Sequence, residues 1–365
     1  MHWGMSDSEE ELAQNSPLSR RVRWIAWSAV AALAVTAAVV LATRASHSTR
    51  HPTAAPTHAS PVVPAPNVRT STRPRTTVPP RTAVAGADGI WWEVQGRTLY
   101  VESASGRPHK FARSIALPPQ FAAPGSRATV AVDPVTGWVW VVLEDSSPSF
   151  MLRVSARSAR IMREIRWPTP VRDVAAYARQ LYLSTDQGTA TLPPHGKQPR
   201  MVPELAGVVG PLAADPMRHR VIALDLVSHP ARIWAVAPDT SPVQSDASFS
   251  ADRATIAIVG RAIWILATNG THASLRRLDS TTLRPTRSVR LPDGLSARAI
   301  LASGDDGALW LSGDRLVCAD PTTGTALHAW PYRDVDSVAS GRGRALIAAG
   351  SRFYRVSLRP CRAVS

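Results

Sequence analysis

From about residue 82 to the C-terminus, apolar and polar positions alternate in short runs, each bounded by turn residues. Alternation with period two marks strands half-buried in a sheet. One phrase recurs, a turn followed by apolar residues around an aromatic or branched centre. It appears as Gly89-Ile90-Trp91-Trp92, Gly137-Trp138-Val139-Trp140-Val141, Gln180-Leu181-Tyr182-Leu183, Arg220-Val221-Ile222-Ala223, Ala262-Ile263-Trp264-Ile265, Ala308-Leu309-Trp310-Leu311 and Ala345-Leu346-Ile347-Ala348. With Trp92, Trp140, Tyr182, Ile222, Trp264, Trp310 and Ile347 taken as equivalent, the phrase returns every roughly 40 to 45 residues, the length of one four-stranded propeller blade.

Each phrase is preceded by a strand of small apolar residues, such as Thr129-Val130-Ala131-Val132 or Thr255-Ile256-Ala257-Ile258. Small side chains suit the innermost strands, which crowd around a central channel. A third strand follows each phrase, and a fourth closes most units, as in Met162-Arg163-Glu164-Ile165. No long amphipathic helix is read in this region. The pattern predicts an all-β fold over 82–362, a β-propeller of about seven four-stranded antiparallel blades. The last blade lacks a fourth strand.

Residues 24–43, WIAWSAVAALAVTAAVVLAT, carry no charge. About 20 such residues cross the hydrocarbon core of a bilayer as a helix. Trp24 and Trp27 suit an interface, and Arg20, Arg21 and Arg23 place the short tail, residues 1–22, in the cytoplasm. The reading is an uncleaved transmembrane signal-anchor over 23–43; a cleaved signal peptide is the alternative, but Thr43-Arg44-Ala45 is a poor cleavage site. Residues 44–81 are rich in Pro, Thr and Arg and contain no acid. Such a stretch cannot bury a core and is read as a disordered, extended stalk. The expected localisation is therefore the cell membrane, single-pass, with the propeller outside the cytoplasm.

The phrases Asp133-Pro134-Val135-Thr136-Gly137, Leu278-Asp279-Ser280-Thr281-Thr282 and Ala319-Asp320-Pro321-Thr322-Thr323-Gly324 resemble those of YVTN/NHL-type β-propeller repeat proteins. The resemblance implies the fold and does not choose among activities, because such repeats occur in binding proteins, sensors, lyases and hydrolases. The Ala/Arg/Pro-rich composition resembles that of a bacterial, high-GC actinobacterial protein.

The formal net charge is +15. The arginines are dispersed, with no basic helix and no zinc-finger spacing, so no nucleic-acid partner is read. The only cysteines are Cys318, on a third strand, and Cys361, just past the incomplete last blade. In an oxidising compartment they are expected to form a disulfide that staples the ring shut; two separate thiols are the alternative. The histidines are scattered without ligand spacing, so no metal site is read, no cofactor is implied, and no nucleophile elbow occurs. Ser303-Gly304-Asp305-Asp306-Gly307-Ala308-Leu309-Trp310 fits a sialidase-type Asp box, a turn-stabilising device without catalytic chemistry.

One polar pattern stands out. Arg occupies the entry position of five innermost strands, Arg81, Arg127, Arg172, Arg253 and Arg298, while Gly210 and Val335 hold the other two places. These positions ring the channel mouth. The guanidinium fork suits carboxylate or phosphate, so the expectation is an anion-binding mouth. The structural alternative pairs each Arg with loop carbonyls or with an acid such as Asp173, Asp252 or Asp334. The expected function is a noncatalytic binding or scaffold module at the cell envelope, engaging a protein or an anionic wall component. A propeller lyase or hydrolase is the runner-up, and it needs a general acid or base beside the arginines.

Overall fold

The structure, a computed structural model, describes residues 83–361 apart from 88, 104–113, 124–126, 156–157, 159, 239, 271, 292–300, 304–306 and 351. The expected tail, span and stalk, with Arg81 and Arg298, lie outside the described residues. Among the described residues no helix is long and apolar enough to cross a membrane.

Twenty-seven strands form seven antiparallel sheets, each following the chain order from inside to outside. Blade one comprises β1 (Ala83–Ala87), β2 (Ile90–Gln95), β3 (Thr98–Ser103) and β4 (Ser114–Ala116). Blade two comprises β5 (Arg127–Val132), β6 (Val139–Glu144), β7 (Ser149–Ser155) and β8 (Arg160–Trp167). Blade three comprises β9 (Val171–Tyr177), β10 (Gln180–Thr185), β11 (Gly188–Leu192) and β12 (Arg200–Ala206). Blade four comprises β13 (Leu212–Asp215), β14 (Arg220–Asp225), β15 (Ala231–Val236) and β16 (Val243–Phe249). Blade five comprises β17 (Arg253–Val259), β18 (Ala262–Asn269), β19 (His272–Asp279) and β20 (Pro285–Arg290). Blade six comprises β21 (Leu301–Ser303), β22 (Leu309–Ser312), β23 (Leu316–Ala319) and β24 (Ala326–Trp330). Blade seven has three strands, β25 (Val335–Gly341), β26 (Arg344–Ala349) and β27 (Arg352–Ser357).

Burial explains the hydrophobic pattern. Second strands are covered on both faces by neighbouring blades, so β6, Val-Trp-Val-Val-Leu-Glu, is buried throughout and β18 is buried over its first six residues. Outer strands face solvent: β20 is almost wholly exposed, and β8 alternates. Seven apolar cores each lie between consecutive blades.

The repeat has a structural signature that the sequence phrase only approximates. In every blade an alanine of the innermost strand lies opposite a bulky residue of the second. The pairs are Ala85 with Trp92, Ala131 with Trp140, Ala175 with Tyr182, Ala213 with Ile222, Ala257 with Trp264, Ala302 with Trp310, and Ala339 with Leu346. The seventh equivalent is therefore Leu346, and the expected Ile347 is one residue out. A slip of one residue reverses the face. Accordingly Ile347 packs toward blade six, while Leu346 packs toward blade one with Val84, Trp91, Ala339 and Ala348. Trp264 reaches across its seam, its indole N–H donating to the Pro321 carbonyl at 3.0 Å. Gly324, at φ +72°, leaves room for that ring, since a Cβ there would lie 2.9 Å from it.

The ring closes by contact of β25 with β1. The Val84 N–H donates to the Ser337 hydroxyl at 2.8 Å, and Arg355 pairs with Glu102 across the same seam. Cys318 and Cys361 form the expected disulfide, with Cα atoms 5.9 Å apart. It does not sit at the closing seam. It ties β23 of blade six to the turn after β27, so the closure itself rests on the Trp91–Leu346 core rather than on the covalent bond.

Candidate functional site: the channel mouth

The innermost strands all begin on one face, because each is entered from the outer strand of the preceding blade. Around these beginnings lies a cavity of about 480 Å³ to which all seven blades contribute, through residues such as Val84, Arg127, Asp173, Thr255, Ala302 and Ser337, with the blade-four entry Gly210-Pro211.

Arg127 opens β5, directly opposite Glu144 at the end of β6. Its Nε lies 3.0 Å from Glu144 Oε2, and Thr129 Oγ1 donates to Oε1 of the same carboxylate. Arg172 occupies a bulge at the start of β9, where Thr185 and Ser184 face Val171 and Asp173 across the pair and Arg172 has no residue opposite. A bulge re-aims its side chain, and here it joins two blades. The guanidinium holds Asp186 through Nε at 2.8 Å and Nη2 at 3.0 Å, and reaches Asp145 of the preceding blade through Nη1 at 2.5 Å. Asp173 Oδ2 accepts the Leu212 N–H at 2.7 Å, linking blade three to blade four.

Of the five arginines expected at the mouth, Arg127 and Arg172 line the cavity. Arg253 begins β17 as an exposed residue in register with Thr268, and is not among the lining residues. Gly210 takes the blade-four place for a steric reason. A Cβ there would lie 2.3 Å from the Leu224 carbonyl oxygen, so no side chain fits. The carboxylates that meet the arginines are Glu144, Asp145 and Asp186, not the Asp173, Asp252 or Asp334 weighed from sequence. Asp252 instead accepts the Gly270 N–H at 2.8 Å, in the Asn269-Gly270 hairpin. One sequence signal for Glu144 existed: a lone carboxylate ending the otherwise apolar run 139–143.

The electrostatics follow from burial. Glu144 is only 2% exposed, and desolvation pushes its carboxyl up to about 7 despite the opposing pull of Arg127. Burial likewise pushes Asp173 up to about 6, against its backbone hydrogen bonds to Leu212 and Val174. Hydrogen bonds to Asp186 and Asp145 hold Arg172 firmly protonated, and the same bond holds Asp186 below the usual carboxylate range. The two guanidiniums remain about half exposed, at 45% for Arg127 and 47% for Arg172. The mouth thus combines fixed cations with two carboxyls that exchange protons near neutrality. Among the described residues no group of three His, Cys, Asp or Glu side chains is arranged to hold a metal ion.

No protein-family model matches the chain, and no curated protein sequence matches it. Solved structures do. A catalytically inactive virginiamycin B lyase from Staphylococcus aureus, solved with quinupristin, superposes with a TM-score of 0.60 at 11% identity, over 80% of this chain and 99% of that one. The fold is a seven-bladed β-propeller. The β-propeller domain of Cps50 (Swd1) from Myceliophteria thermophila gives 0.58 at 10% identity, covering 80% and 99% of the two chains. PorZ, a surface component of the type-IX secretion system of Porphyromonas gingivalis, gives 0.54 at 14% identity; 78% of this chain aligns to 37% of that one. At these identities the similarity carries the architecture alone.

Proposed function

We propose that the protein is a binding module of the cell envelope, its propeller held outside the cytoplasm by the 23–43 span and its ligand seated in the channel mouth. The observation that carries this reading is the cavity to which every blade contributes, lined by Arg127 and Arg172 with their guanidiniums half exposed. The ligand proposed is an anionic wall component or an acidic segment of an envelope protein. Its carboxylate or phosphate competes with Glu144 for Arg127. The bond to Glu144 engages Nε, one of five N–H donors on the guanidinium. Because Glu144 titrates near 7, it takes up a proton when an anion displaces it, which lowers the cost of the exchange at mildly acidic pH.

A second reading, a lyase or hydrolase, is favoured by one specific observation. Glu144 and Asp173 titrate at about 7 and about 6, the range in which a carboxyl serves as general acid or base. The two readings separate at Glu144→Gln, which a binding site tolerates and an acid–base site does not.

The test is a thermal-shift series on the full chain in mild detergent at fixed salt. The probes are inorganic phosphate, citrate and glycerol-phosphate oligomers. A rise in melting temperature for one probe, absent in an Arg127→Gln/Arg172→Gln variant that still melts cooperatively, supports the mouth as the site. Equal shifts in both proteins count against it.

A further inference from the structure

Blade seven is the one sheet of three strands, and its third strand is more open than its counterparts. In β27 only Val356 is buried, with Arg352, Arg355 and Ser357 exposed and Phe353 and Tyr354 partly so. The third strands β7, β11 and β15 are mostly buried. An uncovered strand edge presents a row of backbone donors and acceptors that another strand can pair with.

The chain's own path says which segment belongs there. At the other seams the outermost strand of one blade leads, through a short connection, into the innermost strand of the next: Trp167 to Val171, Ala206 to Leu212, Phe249 to Arg253 and Trp330 to Val335. At the seventh seam, the residues immediately before β1 occupy that place in the order. Cys361 is drawn to Cys318 in blade six, so the chain after β27 leads away toward the neighbouring blade. Ahead of Ala83 the sequence reads Val68-Arg69-Thr70-Ser71-Thr72-Arg73-Pro74-Arg75-Thr76-Thr77-Val78. It is rich in β-branched residues, which favour strands. Its Thr/Arg character matches the outermost strand β20, Pro-Thr-Arg-Ser-Val-Arg. Pro74 is no obstacle, because an edge strand accepts proline and the outermost strand β12 already holds Pro203. Val78 precedes Ala83 by a gap like that between Ala206 and Leu212.

We infer that residues Val68–Val78 add to β27 as the fourth strand of blade seven, so that the N-terminal segment completes the ring. The added strand runs antiparallel to β27 and ends on the face of the channel mouth, where β1 begins. It starts on the opposite face, so the chain preceding it leaves the propeller there and the cavity stays unobstructed. The reading is independent of what the mouth binds. It also assigns part of the expected 44–81 stalk to the propeller.

Hydrogen–deuterium exchange on the full chain in mild detergent tests this. Along an antiparallel edge, alternate amides point away from the existing partner. In the wild type, the amides of Arg352–Ser357 that face away from β26, and those of Val68–Val78, are expected to exchange on the order of 100-fold more slowly than free peptide. Replacing Val68–Val78 by a Gly/Ser segment of equal length should abolish the protection in β27. The same replacement at 50–60 should leave it intact. Fast exchange of the outward β27 amides in the wild type overturns the inference. Protection that survives the Val68–Val78 replacement also overturns it, and its dependence on protein concentration then tells whether a second copy covers the edge.

Discussion

Replacing Glu144 by Gln removes an ionisable group from a site only 2% exposed while preserving its shape. The carboxyl is raised from 4.5 to about 7, chiefly by desolvation. One pKa unit corresponds to about 1.4 kcal/mol, so ionising Glu144 in the folded state costs about 3 kcal/mol relative to the unfolded chain. Between pH 4.5 and about 7 the folded protein holds the proton that the unfolded chain has released. The stabilisation from a neutral Glu144 is therefore full below about pH 4.5 and is lost as pH rises through about 7. Gln imitates the neutral form at every pH. Its amide oxygen still accepts from Thr129, and Arg127, at 45% exposure, can be hydrated. The variant should match the wild type near pH 4.5 and exceed it by about 3 kcal/mol at pH 8. Denaturant unfolding followed by tryptophan fluorescence across pH 4.5 to 8.5 measures both curves. Parallel curves, or a variant weaker at pH 8, would mean that Glu144 is ionised comfortably by Arg127 and that desolvation does not dominate.

Two further perturbations address the frame. Replacing Cys318 and Cys361 by Ala opens a loop with a sequence separation of 43; chain-entropy reasoning puts the loss at about 4 kcal/mol. An unchanged denaturation midpoint would show that blade seven is held by packing alone. Trp264→Ala empties a fully buried site between blades five and six and leaves the Pro321 carbonyl without its donor. It should cost about 3 to 5 kcal/mol, whereas Val243→Ala, at an exposed position, should stay within about 0.5 kcal/mol.

The blade pattern was legible because a second strand pressed between two blades must be apolar on both faces, and an innermost strand near the axis must be small. Those demands write Trp140 against Ala131 and Trp264 against Ala257 directly into the chain. The frame was lost by one residue in blade seven, where Leu346 and Ile347 are chemically alike and only pairing with Ala339 separates them. The bulge between Val335 and Ser337 has no compositional mark. The disulfide partners followed from there being two cysteines, but the seam they do not close depends on how the chain leaves β27.

The mouth was legible in part. Arg127 and Arg172 stand where the innermost strands begin, a matter of blade period. Their partners were harder to foresee. Glu144 meets Arg127 through strand register, and Asp145 and Asp186 meet Arg172 only because a bulge turns its side chain out of the ladder. Glu144's shifted titration arises from the bulk around it, which no local phrase encodes.

The central claim, that the mouth takes an anionic ligand through Arg127, is tested most directly by isothermal titration at pH 6 on the full chain in mild detergent. The ligand is the anion giving the largest thermal shift, titrated against wild type and Arg127→Gln. The account predicts one saturable site in the wild type, weakened at least about tenfold in the variant, as loss of a charge-assisted hydrogen bond requires. Equal affinity in the two proteins, or no saturable binding by phosphate, citrate or glycerol-phosphate oligomers, would contradict it.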